Sequence, residues 1–277
     1  MASLSFFLSL WLILSMAGGA DAATASGRIV LASTTSTQNT GLFEVLLPVF
    51  TQQTGIAVSV VAVGSGQALE MARRGDADVL LVHDPEAEAK FLAEGYGLGH
   101  RQVMYNDFLL VGPAADPAKV KGWTDAIAAF RQLAAHGWHF VSRGDRSGTH
   151  TLELRLWRQA GMQPPGPPSY LEAGQGMEAT LRLASEKQFY TLCDRATWLK
   201  AQERRQTDLV VMVEGDPVLF NQYRVIVVNP AKHPQVNLRE AQALADWLVS
   251  PEGQRLIGAF KDKNGHRLFH PNAQASR

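Results

Sequence analysis

The sequence predicts an α/β fold with mostly parallel strands, because short β-branched runs alternate along the chain with helical segments. The run IAVSVVAV, residues 56–63, has the composition of a strand, and the helical segment QALEMARR that follows it stops at Gly75. The run DADVLLVHD predicts a second strand, and PEAEAKFLAEG predicts a second helix with Pro85 in its first turn. Folds of this kind bind ligands at the carboxyl ends of their strands, where helix N-termini converge.

The first 22 residues differ from the rest of the chain, since an apolar run is followed there by small residues. The segment LSFFLSLWLILSMAGGADA predicts a secretory signal peptide over residues 1–22 and a periplasmic location for the mature protein. The segment lacks the usual basic start, so an N-terminal membrane anchor is the alternative. Its apolar run, from Leu4 to Met16, is short for a membrane span of about 20 residues.

The composition excludes several classes of protein. The chain has 277 residues, 46% of them hydrophobic, which is enough for one or two well-packed domains. Its formal net charge is zero, so no basic excess indicates a nucleic acid or an anionic membrane surface as a partner. Cys193 is the single cysteine, which excludes an intramolecular disulfide, and no Cys or His spacing predicts a metal site. We therefore expect neither a metal nor a cofactor.

Two further strand-like segments, YNDFLLVG (residues 105–112) and YRVIVVN (residues 223–229), are candidates for connections between two lobes. Between them lie four segments that each read as a strand leading to a helix or turn: HFVSRGDRSGTH, SYLEAGQGMEATLRL, QFYTLCDRATWL and DLVVMVEGD. Two crossings of the chain would then join the lobes. The predicted division is a signal peptide, residues 1–22, lobe I, residues 23–112 and 225–277, and lobe II, residues 113–224.

The stretch LASTTSTQNTGL, residues 31–42, includes seven consecutive Ser, Thr, Gln or Asn residues, Ser33 to Asn39, and they lie between an apolar strand-like entry and an amphipathic helix. The apolar pattern that starts at Leu42 predicts that the helix begins between Thr37 and Gly41. One Ser or Thr would serve as an N-cap, but this stretch holds more hydroxyl residues than one cap uses. Because a helix N-terminus offers free N–H groups and a partial positive charge, the hydroxyls predict an anion site. An elaborate cap is the alternative.

Two other strand-to-helix turns have the same character. In AVGSGQALEMA, Ser65 lies between two glycines, which let the backbone approach a ligand closely. The turn SRGDRSGTH combines an arginine fork with hydroxyls and backbone donors, a set suited to a tetrahedral oxyanion. Its candidate ligands are Arg143, Ser147, Gly148 and Thr149. We expect Asp145 to orient the guanidinium of Arg143, and the alternative is a capped helix with a surface Arg–Asp pair.

Eight motifs, in chain order, give the sequence a resemblance to a known family. They are STTSTQNTGL, AVGSGQALEMA, GDADVLLVHDPEAE, MYNDFLLVGP, VSRGDRSGTH, EAGQGMEATL, VEGDPVLFNQY and LVSPEGQRLIGAF. On these motifs, which span nearly all of the mature chain, the protein resembles the tungstate-binding periplasmic proteins of ABC importers.

The resemblance implies a type II periplasmic-binding-protein fold, in which two lobes, each a mixed sheet flanked by helices, are joined by two crossing strands. It implies a monomer that captures the tungstate dianion between the lobes and delivers it to an ABC transporter permease. The residues that it implies face the ligand are Thr34, Thr35, Ser36, Ser65, Arg143, Ser147 and Thr149.

Two other anions remain alternatives at this point. Phosphate keeps a proton at neutral pH, so a phosphate site benefits from a carboxylate acceptor, and the turn that contains His83 and Asp84 would supply one. Molybdate has nearly the same size, charge and shape as tungstate, and the sequence does not separate the two.

An alternative from a different class is a secreted hydrolase, because Ser65, Ser147 and His150 are nucleophile and base candidates. The chain has no G-x-S-x-G nucleophile elbow, since Val63 and not glycine stands two residues before Ser65. We therefore predict a binding protein without catalytic residues. The turns that contain Gln175 and Asp194 either line the cleft or serve as ordinary turns and caps.

Overall fold

The computed structural model describes residues 27–274, so the predicted signal peptide lies outside the described residues. Ten strands are present in this range: β1 Gly27–Thr34, β2 Ile56–Val63, β3 Val79–Val82, β4 Gly97–Gly112, β5 Phe140–Ser142, β6 Tyr170–Glu172, β7 Thr191–Asp194, β8 Val210–Val213, β9 Phe220–Val228 and β10 His270–Pro271. The same range contains ten α-helices: α1 Thr35–Thr40, α2 Leu42–Thr54, α3 Ser65–Arg74, α4 Pro85–Ala93, α5 Ala126–Ala135, α6 Gly148–Gln159, α7 Met177–Lys187, α8 Arg195–Glu203, α9 Leu238–Val249 and α10 Pro251–Ala259.

The larger sheet has the strand order β10-β4-β9-β3-β1-β2. Strand β1 lies parallel to β2 and β3, whereas β9 lies antiparallel to β3 and to the first part of β4. The second part of β4 leaves this sheet and pairs antiparallel with β7 and β8. Strands β5 and β6 form a short parallel pair. The α/β fold with mixed sheets is therefore confirmed, but the prediction of mostly parallel strands is wrong, because every partner of β4 and β9 is antiparallel.

The larger sheet is apolar on both faces, because its central strands are covered by helices on each side. Ile29 and Leu31 of β1 face a cluster that also contains Leu46 of α2 and Leu244 of α9. Ala32, one residue further along, belongs to the opposite cluster with residues of α3. This alternation follows from the two-residue period of a strand.

The smaller layer is built in the same way around the second part of β4. Phe108 and Leu110 pack with residues of α5 and α6, and Leu109 and Val111 pack with residues of α7 and α8. Cys193 of β7 is buried in the latter cluster as a free thiol and packs there as a small apolar residue.

The change of sheet partner along β4 occurs between Asp107 and Phe108. On the returning strand, Phe220 already pairs with Asp107 in the larger sheet. The division into lobe I and lobe II, with boundaries after residues 112 and 224, stays a prediction, and these pairings favour boundaries slightly earlier on both crossing strands. Within the described range, no helix is long and apolar enough to cross a membrane.

Candidate functional site

The turns that follow β1, β2 and β3 lie side by side at one edge of the larger sheet. Thr34, the last residue of β1, is in register with Val63, the last residue of β2. On the other side of β1, Ser33 is in register with Leu81 of β3. Because these three strands are parallel, their carboxyl ends place the hydroxyl-rich turn, the Gly-Ser-Gly turn and His83 next to one another.

The β5–α6 turn lies directly against this edge, although it belongs to the smaller layer. A Cβ atom built on Gly66 would lie 3.4 Å from the carbonyl oxygen of Arg146. A Cβ atom built on Gly148 would lie 3.0 Å from Cε1 of His83. The two sets of predicted ligands are thus brought together, and glycine at both positions permits the close approach.

The hydroxyl-rich turn forms a separate helix, α1, which begins at Thr35, whereas the helix predicted to begin between Thr37 and Gly41 is α2, which begins at Leu42. Thr34 is its N-cap, and the Thr34 hydroxyl accepts a hydrogen bond from the Thr37 amide at 3.3 Å. Gly41 ends this helix with a φ of 87°, a left-handed conformation that separates α1 from α2. The sequence pattern predicted only α2, because α1 has no apolar periodicity of its own.

The predicted ligands in this turn are close to one another and mostly buried. The Thr34 hydroxyl lies 3.2 Å from that of Ser36 and 2.7 Å from that of Thr37. Thr34 and Ser36 are buried, and Thr35 is partly buried. The sequence offered two interpretations of this turn, an anion site and an elaborate helix cap. The structure contains both a helix cap and further hydroxyl donors around it.

Ser65 is fully buried at the first turn of α3, and its hydroxyl has no hydrogen-bond partner in the described part of the chain. An unpartnered buried hydroxyl is unfavourable by about 1–3 kcal/mol. Such a group in a native protein indicates a site where another molecule supplies the missing partner.

Arg143 is 3% exposed, which contradicts the alternative of a surface Arg–Asp pair. Its Nε donates to Oδ2 of Asp145 at 3.1 Å, and its Nη2 forms a second hydrogen bond to the same oxygen. Asp145 therefore fixes one edge of the guanidinium, which is the geometry expected for an orienting residue.

The remaining amides of the β5–α6 turn are held by side chains of the same turn. The Gly144 amide donates to Oγ of Ser142, the Arg146 amide to Nδ1 of His150, and the Ser147 amide to Oδ1 of Asp145, each at 3.1 Å. Ser147 in turn caps α6, because its hydroxyl accepts from the His150 amide at 3.3 Å. These bonds fix the turn and leave the amides of Gly148 and Thr149 available to a ligand.

Helix starts thus supply a second group of donors. The first two amides of an α-helix have no acceptor within the helix. In α1, α3 and α6 these amides belong to Thr35, Ser36, Ser65, Gly66, Gly148 and Thr149. Together with the partial positive charge of each helix start, these amides favour an anion over a cation as a ligand. Consistently, no group of three or more His, Cys, Asp or Glu side chains in residues 27–274 has the arrangement of a metal site.

Residues 19–252 match the PBP superfamily domain. The tungstate-binding protein TupA of Peptoclostridium acidaminophilum is 48% identical to this chain, over 92% of this chain and 90% of that protein. The chain belongs to the TupA family of the PBP superfamily. Two solved structures of TupA-type proteins show the same fold. The tungstate-binding protein TupA from Desulfovibrio alaskensis G20 is 47% identical to this chain and superimposes with a TM-score of 0.77. The match covers 90% of this chain and 100% of that chain.

The second structure is the tungstate ABC transporter protein from Geobacter sulfurreducens, which is 46% identical with a TM-score of 0.75 and covers 83% of this chain and 97% of its own. Membership of the TupA family confirms the predicted fold and the prediction of a binding protein rather than an enzyme. The secreted hydrolase alternative is thereby set aside.

The sequence left open whether the turns that contain Gln175 and Asp194 line the cleft or serve as ordinary turns and caps. Asp194 is the N-cap of α8, and its carboxylate accepts from the amide and the hydroxyl of Thr197 at 2.9 and 2.7 Å. Burial raises the pKa of Asp194, although Thr197 and Arg143 oppose this shift. Gln175 is exposed. The capping interpretation therefore applies to Asp194.

Sequence reasoning missed the supporting role of two residues that lie behind the candidate site. The ring of His83 packs against that of Tyr223 at a centroid distance of 4.6 Å, and burial lowers the pKa of His83 to about 4, so its ring is neutral. Glu153 lies under the β5–α6 turn and is 1% exposed. A signal for Glu153 was present, because it stands next to Leu152 and three residues before Leu156 on the apolar face of α6.

Proposed function

We propose that this protein captures the tungstate dianion between the two layers and delivers it to the permease of an ABC transporter. The ligand-binding residues are Thr34, Thr35, Ser36, Ser65, Arg143, Ser147, Gly148 and Thr149, with Asp145 as the orienting residue. The observation that carries the proposal is the buried cluster of donors at three helix starts, in which the Ser65 hydroxyl has no partner among the described residues.

The charges around this cluster support a fully deprotonated anion. Tungstate carries no proton at neutral pH, so its site requires donors, and a carboxylate that faced it would repel it. Asp145 is bound to Arg143, and Asp194 is bound to Thr197. Both carboxylates are thus already engaged, and the guanidinium of Arg143 supplies the positive charge.

The phosphate alternative requires an acceptor that the chain uses elsewhere. Oδ1 of Asp84 accepts from the Ala87 amide at 3.1 Å, because Asp84 is the N-cap of α4. The Asp84 amide donates to Glu88 at 2.8 Å, which fixes the residue further. Because the Asp84 carboxylate caps a helix, it is not free to accept a hydrogen bond from the proton of hydrogen phosphate. This arrangement favours tungstate over hydrogen phosphate. Molybdate shares the charge and shape of tungstate, and we propose it as a second ligand of the same site.

The proposed function requires a periplasmic location, which agrees with the predicted signal peptide over residues 1–22, and the protein is proposed to act as a monomer. The TupA relatives carry the name of tungstate-binding proteins, and one of the similar structures is named as a tungstate ABC transporter. This kinship supports the proposed partner.

Calorimetry and thermal melting of the mature protein with tungstate, molybdate, sulfate and phosphate test the proposal. A ligand that binds only the folded state at a thousandfold excess over Kd stabilises it by about 4 kcal/mol. We expect this stabilisation with tungstate, a comparable one with molybdate and none with phosphate. A clear shift with phosphate, alongside none with tungstate, would contradict the assignment.

A further inference from the structure

Glu153 is a buried carboxylate behind the proposed anion site, on the second turn of α6. Its Oε2 accepts from the Ser142 hydroxyl at 2.7 Å. Its Oε1 accepts from the Tyr170 hydroxyl at 2.6 Å and from Nε1 of Trp157 at 3.1 Å. Three donors from three different elements thus converge on one side chain, and none of them is a cation.

Ser142 connects this carboxylate to the proposed ligand residues. Its hydroxyl accepts from the Gly144 amide at 3.1 Å while it donates to Glu153. Ser142 is also the last residue of β5 and directly precedes Arg143. The residues on both sides of the Arg143 backbone are therefore held by a single chain of hydrogen bonds that ends on Glu153.

We propose that Glu153 is a positioning residue that couples anion capture to pH: it holds the Arg143 turn through Ser142 and takes up a proton when the dianion binds. The inference rests on the proposed function, since it requires a dianion at the β5–α6 turn. Its physical basis is that two negative charges repel across a buried region where solvent screens them weakly.

The pKa of Glu153 lies near neutral pH, so a bound anion can change the fraction of this side chain that is protonated. Burial raises the pKa of Glu153 to about 7, and the charge of Glu172 on β6 raises it further, whereas hydrogen bonds from Tyr170, Ser142 and Trp157 lower it. A dianion nearby makes ionisation still less favourable, so its binding raises this pKa and draws a proton from solvent.

The pKa values of the two histidines near the turn are shifted in the opposite direction to that of Glu153. Burial lowers the pKa of His83 to about 4, and burial also lowers the pKa of His150 below its ordinary value. Both pKa values are shifted downward, away from the raised pKa of Glu153, so Glu153 is the group expected to change charge when the anion binds.

Calorimetry of tungstate binding in two buffers with different ionisation enthalpies measures the proton uptake directly. For the wild-type protein we expect uptake of a fraction of a proton near about pH 7, and an affinity about tenfold higher at about pH 6.5 than at about pH 8.5. In Glu153→Gln, the uptake should disappear and the pH profile should become flat. Either proton-free binding by the wild type or an unchanged profile in Glu153→Gln would overturn the inference.

A second variant keeps the test independent of whether Glu153→Gln folds. Tyr170→Phe removes one donor to the carboxylate without touching a proposed ligand, so the midpoint of the pH profile should move to higher pH while the profile keeps its shape. An unmoved midpoint in a folded Tyr170→Phe protein would also overturn the inference. Failure of the wild type to bind tungstate at any pH would instead count against the proposed function itself.

Discussion

The β1–α1 turn and the β5–α6 turn face the same space but are built in opposite ways. In the first, the hydroxyls of Thr34, Ser36 and Thr37 bond to one another at 2.7–3.2 Å, and no charged residue is present. In the second, a buried arginine is held by Asp145, and successive amides are held by acceptors of the same turn.

This difference separates two properties that an oxyanion site needs. A hydroxyl hydrogen rotates freely, so the first turn can reorient its donors toward a ligand. The second turn has fixed donors and a fixed charge, so it sets the position of the anion. We therefore expect loss of the fixed charge at Arg143 to have a larger effect on affinity than loss of any single hydroxyl.

The largest effect is expected from Arg143→Gln, which removes the only basic residue that we place at the anion. A charge-assisted hydrogen bond contributes about 1.5–3 kcal/mol, so tungstate binding should weaken about ten- to a hundredfold. Arg143→Lys should recover part of this loss, since it keeps the charge and loses the fork. Calorimetry measures both, with circular dichroism as the check on folding. Unchanged affinity in a folded Arg143→Gln protein would show that the charge lies outside the site.

Ser65→Ala is expected to have effects of opposite sign on stability and on binding. Without ligand, the substitution removes a buried hydroxyl that has no partner in the described range, so the free energy of unfolding should rise by about 1 kcal/mol. Tungstate affinity should fall about fivefold to tenfold, because one neutral donor to the anion is lost. Urea unfolding and calorimetry give the two numbers. A loss of stability without a loss of affinity would mean that Ser65 has a purely structural role.

The smallest effects are expected from the two N-cap hydroxyls. Thr34→Ala should weaken binding about threefold to fivefold and Ser147→Ala about twofold, because neutral donors are lost while neighbouring amides remain. Thr34 should matter more, since its hydroxyl also positions Ser36 and Thr37. Thr34→Ser and Ser147→Thr keep the hydroxyls and serve as matched controls. A larger loss in Ser147→Ala than in Thr34→Ala would show that the Thr34 hydroxyl does not position its neighbours for the ligand.

The sequence predicted those parts of the fold and of the candidate site that depend on local patterns. Strand β2 spans Ile56–Val63 as predicted, and α3 ends before Gly75, whose φ is 80°. The three polar turns could be recognised in the sequence because each lies between a β-branched strand and an amphipathic helix. The interaction of Asp145 with Arg143 was also predictable from their spacing, although the ligand roles themselves stay a proposal.

Other features depend on contacts between residues that are distant in the chain. The sequence does not reveal the antiparallel direction of β9, because strand direction is decided by the partner and not by composition. Helix α1 was missed because its six residues contain no apolar position for a periodic pattern. The contact of His83 with Gly148 joins turns that are more than sixty residues apart, and no local pattern marks it.

The route of the chain through the larger sheet has a consequence for the order of folding. Strand β3 ends at Val82 and pairs with β9, which the ribosome supplies only after more than a hundred further residues. The strands β5 to β8 lie entirely within that interval. Closing a long loop before any contact forms is entropically unfavourable and slows folding. We therefore expect the central segment to fold before β3 pairs with β9, so that the edge of β3 that β9 later covers stays unpaired until late in synthesis.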